Sequence, residues 1–272
     1  MPIGPIVASC YHEDMPPNNL DATNYYDRFE QGGGLNWDLS LMLSALKKMD
    51  VARNGTFNSL RERTAAKLLL LGSATSQNLD KIALLDKQLR PGSGDKDKVC
   101  VIDCNLYPLR QHQKRIGFIT EAEEAFQKNH PDTDNPLPYP SYELAQADMK
   151  CLPFADGSFD VVVSDYTLNF AESADEVGRT FSETSRVLSA DGFLLLSIRG
   201  NPDFPYDPDD ELTPSTNEMT QQELSDSLYI KQLPLATYLR VARQNDLQLV
   251  ADDNIANRSE MLCGVFKKTA LL

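Results

Sequence analysis

Runs of consecutive apolar residues recur along the middle of the chain, and amphipathic stretches separate them. The runs at 68–71 and 99–103 have the length of buried strands, and a stretch with helical periodicity lies between them. Further strands are predicted at 142–148, 159–165 and 193–198. Strands made of continuous apolar runs are typical of parallel sheets with helices on both faces. The pattern therefore predicts an α/β fold.

The amphipathic stretches predict helices that each bury one stripe. One begins after a bend at Gly72, and a second begins where Ser173 and Glu176 have the spacing of a capping box. A third begins at Pro234, which is permitted in a first helical turn. The predicted inward-facing residues of these helices are Leu79, Ile82, Leu85 and Leu89, then Val177, Phe181 and Leu188, then Leu235, Tyr238, Leu239 and Ala242.

The ends of the chain complete this pattern. Residues 22–66 are predicted to be helical, with Asn36 as an N-cap and an apolar stripe that ends at Leu46. The last two predicted strands, 247–252 and 261–268, are close enough in sequence to pair as an antiparallel hairpin. Two segments rich in proline and acidic residues, 129–140 and 201–218, are predicted to be loops.

Composition narrows the class of protein. The 272 residues carry a net charge of −14, whereas nucleic-acid-binding proteins concentrate lysine and arginine to neutralise phosphates. The basic run at 109–115 is interpreted as the solvated face of a helix. No apolar run approaches the length of a membrane span, and the N-terminus lacks the pattern of a signal peptide. We therefore expect a soluble cytoplasmic protein that binds neither nucleic acid nor membranes.

The cysteines and the acidic run give no indication of a metal site. The five cysteines are an odd number without metal-type CxxC spacing, so we expect reduced and mostly buried thiols. Cys100 and Cys104 are too far apart along a strand to be bridged. The acidic run at 207–211 lacks the spacing and the glycine of a calcium loop, which favours a solvated loop.

Small and acidic residues follow the predicted strands. Ligands of open α/β sheets bind at the carboxyl ends of the strands, where small residues such as those at 72–76 let backbone amides approach a ligand. Asp103 follows the second strand, in a place where a carboxylate can accept both hydroxyls of a ribose. Asp148 follows the third strand and can accept an exocyclic amine, while Asp165 ends the fourth. These residues together predict a site for an adenosine-like ligand.

Two stretches resemble a known family. AQADMKCLPFADGSFDVVVSDYTLNF at 145–170 and FSETSRVLSADGFLLLSI at 181–198 are similar to the class I S-adenosylmethionine-dependent methyltransferases, especially the small-molecule branch. The resemblance covers residues 65–200. It implies a Rossmann-like, seven-stranded, mostly parallel sheet with helices on both faces and a C-terminal antiparallel hairpin. It also implies S-adenosylmethionine as the cofactor, with S-adenosylhomocysteine as its product.

The resemblance also implies roles for individual residues. Gly72 would lie at the methionine-side turn, Asp103 at the ribose, Asp148 with Met149 at the adenine, and Asp165 near the mouth of the cofactor site. The residues implied at the cofactor are Gly72, Ser73, Ala74, Asp103, Cys104, Asp148, Met149 and Asp165. The first turn departs from the family pattern. Leu70 stands where the family carries an acid, and Ala74 and Ser76 stand where it carries glycines, although Ser73, Thr75 and Ser76 bring hydroxyls.

The acceptor side of the site is less defined. No catalytic base is assigned, because His12, His112 and His130 do not follow the fourth strand, where related enzymes often place a histidine. Methyl transfer requires close and linear approach, and a base only when the acceptor must lose a proton. The substrate-lining candidates are Tyr26, Tyr166, Asn169 and Arg199, with Tyr25 and Trp37 as further possibilities.

The predicted organisation has four parts. Residues 1–64 form a helical segment over the cofactor site, 65–200 the cofactor-binding core, 201–233 a lid or insert, and 234–272 a last helix and hairpin that complete the core. Two functions stay open: methyl transfer to a small molecule, or a methyltransferase fold without transfer activity that serves as a binding or regulatory subunit or performs other chemistry. The N-terminal helices are the predicted contact with a second copy or a partner subunit.

Overall fold

The computed structural model describes residues 46, 55, 57–58, 66–72, 78–89, 98–129, 140–171, 173–199, 233–252 and 261–269. Within these residues, seven strands form one sheet in the order β3-β2-β1-β4-β5-β7-β6. The strands are β1 Lys67–Leu71, β2 Lys98–Asp103, β3 Ser141–Gln146, β4 Phe159–Asp165, β5 Leu188–Arg199, β6 Leu247–Asp252 and β7 Met261–Lys268. The helices are α1 Asn78–Leu89, α2 Leu106–Asn129, α3 Ala174–Val187 and α4 Leu235–Gln244, with a short 3₁₀ helix at Thr167–Phe170.

The direction of the strands confirms the predicted mixed sheet. The neighbours β1 and β2, β1 and β4, β2 and β3, and β4 and β5 all pair in parallel. Strand β7 lies between β5 and β6 and is antiparallel to both. The last two strands therefore form the expected antiparallel hairpin, and the fold is the Rossmann-like α/β architecture that the family resemblance implies.

Strand β1 divides the hydrophobic core between the two faces of the sheet. Leu69 and Leu71 belong to the cluster that also contains residues of α3 and α4. Leu68 and Leu70 belong to the opposite cluster, which contains the buried stripe of α1. Because both faces of the strand are buried, its residues are apolar without alternation. Burial of each such leucine contributes roughly 1.5–3 kcal/mol to the stability of the fold.

The predicted helical stripes are buried, with small shifts. All four stripe residues of α1 are buried, as are Val177 and Phe181 of α3. Leu188 is also buried, but it begins β5 instead of continuing α3. In α4 the buried stripe includes Thr237 and Val241 beside Tyr238 and Ala242, whereas the predicted Leu235 and Leu239 are only partly buried against the core.

Two predicted boundaries differ from the structure. The third strand ends at Gln146 and not at Asp148, because Asp148 enters a turn. Strand β5 begins before the predicted turn at Asp191 and Gly192. Phe159 of β4 pairs with Leu188 and Val161 with Phe193, so the register shifts and β5 has extra residues between these two pairs. A bulge accommodates such an insertion without ending the strand.

Most of the predicted N-terminal helix and both predicted loops lie outside the described residues, apart from their edges. Of the N-terminal part, Leu46 is buried as the stripe predicted, and Phe57 packs edge-on against Phe193 of β5, with 4.9 Å between ring centroids. Both side chains lie in the cluster on the α1 face of the sheet. Among the described residues, no helix is long and apolar enough to cross a membrane.

Candidate functional site

The carboxyl ends of four neighbouring strands bring the predicted cofactor residues to one edge of the sheet. Leu71 of β1 is in register with Ile102 of β2 and Ser164 of β4, and Asp103 of β2 is in register with Gln146 of β3. The chain positions that follow these partners are therefore neighbours as well. The structure brings Gly72, Asp103, Asp148 and Asp165 to this edge, which is the ligand-binding edge of parallel α/β sheets.

Gly72 makes the bend after β1, as predicted. Its φ angle is 75°, in the left-handed region that side chains rarely adopt. The Thr167 side chain packs against Gly72 and donates a hydrogen bond to the Leu71 carbonyl at 2.7 Å. Leu70, at the position where the family carries an acid, is buried in the apolar cluster on the α1 face. The two next predicted cofactor residues, Ser73 and Ala74, lie outside the described residues.

Asp103 lies where β2 passes into α2. One carboxylate oxygen accepts a hydrogen bond from the Asn105 backbone amide at 2.8 Å, and the Asn105 side chain accepts one from the Tyr107 amide at 2.8 Å. Side-chain acceptors at a helix start satisfy amides that have no partner within the helix. The Asp103 residue is 7% exposed. Its carboxylate is therefore fixed by the chain and lies at the ligand-binding edge.

Asp148 lies in a tight turn after β3. Its Oδ1 accepts a hydrogen bond from the Lys150 amide at 2.8 Å, and its carbonyl accepts one from the Cys151 amide at 3.0 Å. An aspartate that bonds the backbone two residues later favours a turn over a strand, which explains the early end of β3. Its Oδ2 lies 3.8 Å from Lys150 Nζ, which in turn lies 2.8 Å from Glu176 Oε1. Met149, between them, is partly exposed.

Further contacts join these two aspartates. The Gln146 side chain donates to the Cys104 carbonyl at 2.9 Å, and the Ala147 amide donates to the Asp103 carbonyl at 3.1 Å. Packing around the sulfur, followed by the charges of Asp103 and Asp148, raises the pKa of the Cys104 thiol to about 12, although the residue as a whole is exposed. The charges of both carboxylates therefore disfavour the thiolate of Cys104.

Cys104 is therefore expected to be exposed but unreactive. At pH 8 a thiol with a pKa near 12 has on the order of a thousandfold less thiolate than an unperturbed one, and only the thiolate attacks alkylating reagents. We expect Cys104 to react with iodoacetamide about a hundredfold or more slowly than a free cysteine, with a rate that rises as the pH rises. Peptide-resolved mass spectrometry measures this rate. Asp148→Asn is expected to accelerate it, and alkylation as fast as that of free cysteine would contradict the burial of the sulfur, which is the main cause of the raised pKa.

The end of β4 carries three of the remaining predicted residues. Asp165 accepts a hydrogen bond from the hydroxyl of Ser197 on β5. Tyr166 follows with a φ angle of 54°, which is uncommon for a non-glycine residue, and its amide donates to the Ser197 carbonyl at 2.9 Å. Asn169 lies in the 3₁₀ helix, and both Tyr166 and Asn169 are buried. Strained backbone beside a ligand edge is a frequent feature of functional sites.

The other acceptor-side residues are only partly accounted for. Arg199 ends β5 and is in register with Met261, which places its backbone on the same sheet. Tyr26, Tyr25 and Trp37 lie outside the described residues. His112 is on α2, as predicted, and is fully buried. No group of three or more histidine, cysteine or acidic residues that could hold a metal ion occurs in the part of the chain that the structure describes.

Sequence reasoning missed several residues that shape the site. Thr167 and Ser197 were not singled out, although each binds directly to a predicted site residue or its neighbour. Glu176 was assigned only to the helix start. Ser173 does accept the Glu176 amide at 3.2 Å, yet the Glu176 carboxylate reaches Lys150. The spacing of these residues along the chain, which ranges from 26 to 96 positions, carries no local pattern that could reveal them.

Comparison with known proteins supports the interpretation of the fold and the domain. Residues 112–196 match the family model described as a methyltransferase domain. The match runs from α2 into β5 and includes Asp148 and Asp165. It confirms the predicted resemblance to class I S-adenosylmethionine-dependent methyltransferases. No curated protein sequence matches the chain.

Solved structures have the same fold at low sequence identity. The PH0226 protein from Pyrococcus horikoshii is similar with a TM-score of 0.53 and 14% identity, over 90% of this chain and 99% of that chain. A Galdieria sulphuraria protein described as a sarcosine dimethylglycine methyltransferase has a TM-score of 0.52 and 14% identity, over 92% and 99%. A Haloferax volcanii protein solved with the Trm112 methyltransferase activator has a TM-score of 0.50 and 14% identity, over 93% and 98%. These similarities concern the fold alone.

Proposed function

From the methyltransferase domain that residues 112–196 match, we propose that the chain transfers a methyl group from S-adenosylmethionine to a small-molecule acceptor. The observation that carries the proposal is the pair Asp103, which ends β2, and Asp148, which follows the neighbouring β3; they are linked by the hydrogen bond from the Ala147 amide to the Asp103 carbonyl. Carboxylates fit the two polar groups of adenosine, since the ribose offers hydroxyl donors and the base an amine donor. Each carboxylate also supports the local backbone, through the Asn105 amide for Asp103 and the Lys150 amide for Asp148, and an adenosine ligand would account for the presence of both at one edge.

The site residues have distinct parts in this proposal. When bound, S-adenosylmethionine would supply a methyl group on a sulfonium: the acceptor's lone pair would form the new bond to the methyl carbon as the carbon–sulfur bond breaks and S-adenosylhomocysteine leaves. Asp103 would hold the ribose hydroxyls, Asp148 the exocyclic amine, and the bend at Gly72 would let backbone amides approach the methionine portion. Asp165 and Tyr166 would border the acceptor. The chain then contributes mainly orientation and exclusion of water, which is sufficient for an acceptor that is already nucleophilic.

A second candidate function follows from Leu70. An apolar residue buried in the core cannot accept a hydrogen bond from the ammonium group of a cofactor, and the loss of such an acceptor costs about 1–3 kcal/mol. Weak binding of the methionine portion would favour a protein that binds the adenosine portion without transferring a methyl group. Such a protein would act as a binding or regulatory subunit.

Calorimetric titration with S-adenosylmethionine and S-adenosylhomocysteine tests the proposal. We expect micromolar dissociation constants for both ligands, followed by release of S-adenosylhomocysteine in a screen of small amines, acids, thiols and phenols. Binding of adenosine as tight as that of S-adenosylmethionine, without turnover, would favour the second candidate. Absence of binding at millimolar concentrations would contradict both cofactor-based functions.

A further inference from the structure

The loop between β3 and β4, residues 147–158, begins with the turn that carries Asp148 and is bound to α3 at two places. Near its start, Lys150 Nζ donates to Glu176 Oε1 at 2.8 Å. Further along, Leu152, Phe154 and Asp156 all bond to side chains near the end of α3. The same helix therefore holds both parts of the loop.

Arg186 makes the larger set of these contacts. Its guanidinium donates to the carbonyls of Leu152 at 2.9 Å and Phe154 at 2.7 Å, and to Asp156 Oδ1 at 2.8 Å. It also forms a two-point ion pair with Glu183, with both distances at 2.8 Å. These bonds employ all five N–H donors of an arginine, and two-point pairing with a carboxylate fixes the orientation of the group as well as its position.

Glu183 links this pair directly to the loop backbone. Its Oε2 accepts the Leu152 amide at 2.7 Å while it also accepts from Arg186. The hydrogen bond from Arg186 is the main cause that lowers the pKa of Glu183, so the carboxylate stays charged at neutral pH. We call Glu183 and Arg186 the loop clamp.

The loop clamp lies a short distance along the chain from the proposed adenine acceptor. Asp148 and Cys151 form a bridge that closes the turn, and Leu152, the next residue, is held by both members of the clamp. Because Cys151 is bonded to Asp148 and precedes Leu152, we expect a shift of Leu152 to move the Asp148 turn as well. A displacement of about 1 Å in a group that orients a ligand can reduce binding or rate substantially.

We propose that Glu183 and Arg186 are positioning residues that hold the Asp148 turn in the geometry needed to recognise the exocyclic amine of the cofactor base. The inference rests on the proposed use of S-adenosylmethionine. In it, the preference for adenine over bases that lack the exocyclic amine depends on the clamp, although the clamp is remote from the base. The clamp contacts the loop, so in this proposal it acts through Asp148.

A matched control is available on the same helix. Arg179 also pairs with an acid, Asp175, at 2.7 Å, but both side chains are mostly exposed. Exposed pairs of this kind contribute roughly 0–1 kcal/mol. Arg179→Met therefore removes an arginine and an ion pair from α3 without releasing the loop.

The test compares Arg186→Met, Glu183→Gln and Arg179→Met by calorimetry with S-adenosylhomocysteine and with its inosine analogue, which has a carbonyl in place of the exocyclic amine. We expect the wild-type protein to prefer S-adenosylhomocysteine. Arg186→Met should weaken its binding about fivefold and leave binding of the analogue unchanged, so that the preference shrinks by the same factor. Glu183→Gln should have a smaller effect in the same direction, and Arg179→Met none.

Different outcomes separate this proposal from the proposed function. Equal weakening of both ligands by Arg186→Met and Glu183→Gln would mean a general structural role and would overturn the positioning role, as would an unchanged preference. Failure of the wild-type protein to bind either ligand would contradict the cofactor assignment itself. Thermal unfolding of each variant verifies that the compared proteins are folded, and Glu183→Gln, which changes no volume, provides the comparison if Arg186→Met unfolds.

Discussion

Replacement of Gly72 by alanine is expected to lower the free energy of unfolding by about 2 kcal/mol or more and to reduce S-adenosylmethionine binding by about a hundredfold. The φ angle of 75° costs an L-residue roughly 1–2 kcal/mol. The added Cβ would also lie 2.7 Å from Thr167 Cγ2, so that Thr167 would have to move. Chemical denaturation measures the stability change, and calorimetry measures the affinity.

The expected effect is large because the change at Gly72 strains the backbone and also displaces Thr167. Thr167 bonds the Leu71 carbonyl at 2.7 Å, so a shift of Thr167 disturbs the end of β1 and the start of the 3₁₀ helix together. Gly117→Ala on α2 is the control, because a Cβ there meets no atom within 4 Å and alanine favours a helix. Thr167→Ala in the Gly72→Ala background should recover part of the stability. A Gly72→Ala protein as stable as wild type would contradict the described packing.

The fold was predictable because its signals are local or periodic. A continuous apolar run such as 68–71 by itself predicts a strand that is buried on both faces, and the apolar residues of α1 repeat at helical spacing. One boundary error, at the end of β3, occurred where a side chain competes with the backbone pattern. The Asp148 carboxylate bonds the Lys150 amide and ends β3 two residues early, and the composition of the strand gives no sign of this.

Of the candidate site, the sequence could predict where Gly72 and the acidic residues lie, while their roles in binding stay predictions. Asp103 and Asp148 could be proposed because strand ends in a parallel sheet meet at one edge, so the fold prediction already placed them together. The loop clamp and Thr167 could not be proposed in the same way. Their partners are distant in sequence, as with Glu183 and Leu152, which are 31 positions apart. Such contacts depend on how a loop packs against a helix, which single-sequence patterns do not encode.

Replacement of Asp103 by alanine is expected to weaken S-adenosylmethionine binding at least tenfold, or about 1.4 kcal/mol. The carboxylate is largely buried and fixed by the Asn105 amide at 2.8 Å at the end of β2, where it would accept the ribose hydroxyls. Calorimetry measures the affinity. Removal of this charge should also lower the pKa of Cys104, since the Asp103 charge contributes to raising it.

Asp103→Asn separates ligand recognition from support of the helix start. The asparagine oxygen can still accept the Asn105 amide, so the start of α2 keeps its bond, while the charge that strengthens hydrogen bonds from a ribose is lost. We therefore expect weaker binding in both variants but a loss of stability mainly in Asp103→Ala. Glu143→Gln on β3, which removes an exposed pair with Lys98, is the control and should leave affinity unchanged. Unchanged affinity in both Asp103 variants would mean that Asp103 does not bind the ribose. The role of Asp103 would then be to support the start of α2.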